Sequence, residues 1–102
     1  MNNAGQPIQA AGIPWFTAET YDKCRSMFAD ADKLSNRFTD WLVSAEETEK
    51  QLTLRGVKVV RVIVDPEELA AWCIASGYSE INAHARGTFA AAKAADWVRA
   101  NR

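Results

Sequence analysis

The chain has 102 residues, of which 48% are apolar, 25% charged and 10% aromatic, and its 12 basic and 13 acidic side chains leave a formal charge of −1. That is the composition of one globular domain, too apolar for a disordered chain and without a run long enough to cross a membrane. The near-neutral charge argues against a nucleic-acid partner held by bulk positive charge.

A domain of this length buries roughly 60–70% of the surface its unfolded chain exposes, enough for one core without staples. Trp15, Trp41, Trp72 and Trp97 are spread along the chain, so each major segment is expected to place one in a common core. Cys24 and Cys73 are too few for a disulfide scaffold. Both fall among apolar residues at helical spacing and read as reduced, buried small hydrophobes.

The chain opens MNNAGQPIQAAGIP. It lacks the basic start and apolar stretch of a secretory leader, so a cytoplasmic protein is the default expectation. Gly5, Pro7, Gly12 and Pro14 make a poor helix or strand. Residues 1–12 are therefore expected to be a flexible tail and residues 13–102 a single domain. Trp15 and Phe16 follow directly. They read as a hydrophobic staple on the first helix, with a partner-anchoring role as the alternative.

The first helix is predicted from a Thr17 cap to about Ala29, with Tyr21, Cys24, Met27 and Phe28 on one face. A second helix begins near Ser35 or Asn36. Its apolar stripe is Phe38, Trp41, Leu42, Ala45 and Leu52, and Gly56 stops it. Six of the eight residues Val57–Val64 are β-branched, which makes this the one confident strand. Asp65-Pro66-Glu67-Glu68 starts a third helix as N-cap, first-turn proline and capping box. Leu69, Trp72 and Cys73 form its apolar face, and Gly77 ends it. Ser79 is the predicted cap of an alanine-rich fourth helix with an inner stripe of Ile81, Ala85, Thr88, Phe89 and Ala92. Small residues there allow a neighbouring backbone to approach closely.

The expected class is thus α+β, mainly helical, in the order α-α-β-α-α. A lone strand needs a partner for its backbone groups. The expectation is a homodimer in which Val57, Val59, Val60, Arg61, Val62, Ile63 and Val64 pair antiparallel with the same strand of a second chain. The alternatives are pairing within one chain to the N-terminal tail or to Asp30–Leu34. Both faces of the strand are mainly apolar, so helices are expected on both sides.

No catalytic, cofactor or metal motif emerges. His84, with Glu80 and Thr88 nearby on its helix, lacks the three or four ligands of a metal site. A Cys73–His84 nucleophile pair would define a small enzyme, but Cys73 lies on an apolar stripe. Asp30 and Asp32 read as a polar turn rather than a cation loop. Arg61 stands out as a charge in an apolar strand. It is expected to find a carboxylate such as Glu49 or a partner across the dimer axis, or to recognise an anionic ligand.

From Val59 to Ala95, a strand, a Pro-started helix, a Gly turn and a second helix resemble the ribbon-helix-helix DNA-binding family. That resemblance implies a dimeric strand ribbon in the major groove, with Arg61 as the residue able to contact a base. Across most of the chain after Ile13, the residues Pro14-Trp15-Phe16, Phe38…Trp41-Leu42, Ala45-Glu46, Gly56-Val57, Arg61-Val62, Asp65-Pro66-Glu67, Trp72-Cys73 and Arg86–Ala92 are similar to a group of small bacterial proteins without an assigned activity. This second resemblance implies a bacterial, stand-alone domain. The functional expectation is a non-enzymatic homodimeric interaction or assembly module, with a further protein partner open and Arg61, Trp15 and Phe16 as candidate contact residues.

Overall fold

The structure is a computed structural model that describes residues 10–101. Its elements run β1 (Ala10–Trp15), α1 (Tyr21–Met27), a 3-10 turn (Ala31–Lys33), α2 (Phe38–Leu54), β2 (Lys58–Ile63), α3 (Pro66–Ala75) and α4 (Ala83–Ala100). The class is α+β and mainly helical, as expected. The order differs by one strand at the start.

That strand is the partner β2 required. β1 pairs with β2 in parallel, with Gly12 opposite Val60 and Trp15 opposite Ile63. The intervening helices supply the crossover that parallel neighbours need. The expected tail boundary at Gly12 therefore falls inside β1. The part of the tail in residues 1–9 lies outside the described residues. Segment Asp30–Leu34, the other intrachain candidate, is occupied by the 3-10 turn instead.

Pairing within the chain was hard to read because Ala10–Trp15 carries glycine and proline where strands usually carry β-branched residues. The structure explains both. A Cβ on Gly12 would stand 2.3 Å from the carbonyl oxygen of Ala90 and 2.8 Å from the Ala94 Cβ. Only a glycine lets β1 lie this close to the alanine stripe of α4. Pro14 has no N–H, and its place in the ladder requires none.

α4 packs on both strands, α2 packs on β2, and α3 packs on α4. α4 and α2 thus cover the two faces of the sheet, in keeping with the expectation of helices on both sides. The core gathers Phe16, Tyr21, Cys24, Phe28, Val62, Val64, Leu69, Cys73, Ala85, Phe89 and Ala90. The inner stripe of α4 is Ala85, Phe89, Ala90 and Ala94, with Ala92 exposed. Trp97 is 41% exposed, so it does not join Trp15 in the core.

The helix ends are as informative. Asp65 accepts the Glu68 N–H at 3.0 Å, with Pro66 in the first turn, as predicted. Gly56 and Gly77 adopt φ of 84° and 86°, the left-handed terminators the sequence called for. The cap of α4 is Asn82, whose side chain accepts from the Ala85 N–H at 2.9 Å, and not Ser79. Ile81 is held by a bridge to Phe28 and by the Ala29 N–H to Ile81 carbonyl bond, and Asn82 after it is extended, which delays the helix. α1 likewise starts at Tyr21, with the hydroxyls of Thr17 and Thr20 bonded to each other at 2.8 Å before it.

Candidate functional site

The sheet has two strands among the described residues, so each strand has one edge without a neighbour. The two edges are unequal. The Val64 N–H donates to the Trp15 carbonyl at 2.9 Å. In a parallel ladder, successive residues of a strand turn their N–H and C=O alternately toward and away from the neighbour. With Trp15 facing β2, Ala11 and Ile13 face it as well. Ala10, Gly12 and Pro14 face outward. The outer edge of β1 is therefore blunted, because Pro14 offers it no donor.

On β2 the same alternation turns Val60, Val62 and Val64 toward β1 and leaves Val59, Arg61 and Ile63 facing outward. All three carry an N–H. Ile63 is 55% exposed and Arg61 also reaches solvent, while Val59 is half-buried. A partly apolar strand edge without a neighbour among the described residues is the feature that native proteins usually conceal.

Arg61 is not free beside that edge. Its Nε and Nη2 donate to the Glu49 carboxylate at 2.7 and 2.6 Å, and its guanidinium stacks 4.0 Å from the Trp15 ring centre. The bonds from Arg61 hold the Glu49 carboxyl below its ordinary range, and Glu49 in turn raises the Arg61 pKa. Of the partners the sequence offered for Arg61, Glu49 is the one the fold supplies. The pair joins α2 to the outward face of β2.

Trp15 and Phe16 are both buried. Phe16 packs 4.9 Å from Trp41 and 5.6 Å from Tyr21, and Trp15 meets Trp41 edge-on at 5.4 Å. Phe16 thus packs on the first residue of α1, as a staple would, whereas Trp15 lies within β1 and meets α2 instead. Tyr21 is fixed by its hydroxyl, which donates to the Ser35 carbonyl at 2.6 Å, and burial pushes its pKa up.

A second charged pair escaped the sequence. Arg86 donates from Nη1 and Nη2 to the two Asp30 oxygens at 2.7 and 3.0 Å. It also lies 4.3 Å from the Phe28 ring centre. The side chains are 10% and 16% exposed, and the bonds from Arg86 hold Asp30 below the usual carboxylate range. The available signal was position: Arg86 sits three and four residues before Phe89 and Ala90, on the inner stripe. Asp30 is thus neither a free turn carboxylate nor a cation ligand, while Asp32 stays exposed.

The thiols of Cys24 and Cys73 are free and buried, and burial raises both pKa values. His84 is exposed, with the Tyr78 ring 5.9 Å away, and its carbonyl accepts from the Thr88 hydroxyl at 2.9 Å. No group of three or more His, Cys, Asp or Glu side chains converges among the described residues. An open groove of about 550 Å³ lies between β1 and α4, but Ala10, Ala11, Gly12, Ala91, Ala94 and Ala95 supply most of its wall. Ligand sites combine such apolar walls with convergent polar groups. No helix among the described residues is long and apolar enough to cross a membrane.

Comparison with known proteins adds no relative: no family model, no curated protein and no solved structure matches the chain.

Proposed function

We propose that this protein is a non-enzymatic interaction module that homodimerises by adding a strand to the outer edge of β2. The observation that carries this is the inequality of the two sheet edges. Pro14 blunts β1, whereas Val59, Arg61 and Ile63 leave β2 with a full row of outward donors and acceptors.

A Cys73–His84 enzyme is the weaker account, because a buried thiol with a raised pKa holds little thiolate. A ribbon-helix-helix DNA regulator is weaker too. The one strand residue suited to a base contact is already bound bidentately by Glu49.

Light scattering after size exclusion, across a dilution series, tests the proposal. The expected mass is near twice the chain's 11.3 kDa. Val59→Pro removes an outward donor without touching the ladder to β1, and is expected to give a monomer. A native chain that runs as a monomer at every concentration overturns the proposal.

A further inference from the structure

The open edge of β2 is bounded at both ends. Val59, Arg61 and Ile63 turn their backbone groups outward. Before them, the Val57 N–H is held by the Leu52 carbonyl at 3.1 Å. After them, the Asp65 carbonyl accepts the Leu69 N–H at 2.9 Å. The usable edge is therefore three residues long and centred on Arg61. A long visiting strand finds no further backbone to bond there, whereas a second copy matches it residue for residue. The three side chains share one face, apolar at Val59 and Ile63 and charged between them. Ile63 is 55% exposed although α2 reaches this face at Arg61, so the helix leaves room beside the edge.

The charge in the middle is drawn back. The Arg61 guanidinium stacks on Trp15, which belongs to β1, the strand on the far side from the open edge. Glu49 neutralises it there through two bonds. The edge thus opposes no net charge to a copy of itself. In an antiparallel pair, residues with outward groups face each other and exchange two bonds per pair. A two-fold axis at Val60 sets Ile63 against Val57, and one at Val62 sets Val59 against Asp65. Each of these spends pairs on a backbone group already held. An axis at Arg61 uses the three outward residues and nothing else: three pairs, two bonds in each. It also sets the apolar Val59 and Ile63 against each other on either side.

We infer that two copies of this chain pair antiparallel about an axis at Arg61, with Val59 of each copy against Ile63 of the other. This rests on the dimer proposed above and fixes its geometry. In a hydrogen-bonded antiparallel pair the two Cα atoms lie about 5.5 Å apart, within disulfide range. Arg61→Cys is expected to form an intermolecular disulfide under mild oxidation. Val59→Cys and Ile63→Cys are expected to crosslink when the two variants are mixed. Neither is expected to crosslink alone, since each then sits about 14 Å from its copy. The native chain, with Cys24 and Cys73 buried, is the control. Either crosslink, with the variants at 59 and 63 silent on their own, supports the axis. If Arg61→Cys does not fold, the mixture decides. A dimer that crosslinks in neither case, or that crosslinks Val59→Cys or Ile63→Cys alone, overturns the register while leaving the dimer standing. A monomeric native chain overturns both proposals.

Discussion

Arg86 and Asp30 show what one well-placed charge pair does to a small domain. Taking both side chains largely out of water is costly, and two parallel bonds offset much of that cost. Removing one partner leaves the other uncompensated. Asp30→Asn is expected to destabilise the fold by about 3 kcal/mol at neutral pH. Asp30 also carries a pH signature. Its folded pKa is depressed, so its contribution is complete above the ordinary carboxylate value of about 3.9. It is lost as pH falls through the lower folded value. Urea midpoints measured from pH 7 to pH 2 should fall at the acid end for the native chain. The fall should be shallower for Asp30→Asn, and identical slopes would refute the assignment. The Arg61–Glu49 pair is solvent-exposed and screened, so its role is to orient the outward face of β2 rather than to stabilise the fold.

At the scale of elements, side chains that talk to their own backbone were legible in advance. Asp65, Pro66, Gly56 and Gly77 act through local geometry, and each did what its position predicts. Ser79 and Asn82 were ambiguous because both are good caps three residues apart. The choice was made by a distant contact, the Phe28–Ile81 bridge, which keeps Ile81 out of the helix. Asn82→Ala is therefore expected to lower stability by about 1 kcal/mol, and Ser79→Ala to leave it nearly unchanged. Equal thermal shifts for the two variants would contradict the observed cap. The thin packing of β1 on α4 has the same logic: Gly12 is needed only because Ala90 and Ala94 are where they are.

For the whole molecule, the proposed dimer makes association a matter of the sheet edges. A chain with one open edge closes on itself as a pair, whereas a chain with two open edges can grow into a longer array. Under the proposed dimer, Pro14 is what separates the two cases. Pro14→Val restores a donor to the outer edge of β1. Its mass in light scattering is expected to climb beyond two chains with concentration, while the native chain stays at two. A variant mass that tracks the native one would mean that Pro14 is not the block.

The sequence by itself determined the helices, the Val57–Val64 strand, the buried thiols and the need of Arg61 for a counter-charge. These follow from periodicity, caps and the rule that a charge in an apolar strand needs a counter-charge. Only the tertiary structure decided that Ala10–Trp15 is a strand, that Trp15 and Phe16 are interior, and that Arg86 reaches back to Asp30. A glycine and a proline reveal their fitness for a strand only once the alanine stripe and the direction of the ladder are known. Likewise, a residue 56 positions away in sequence becomes a partner only when packing closes the loop between them.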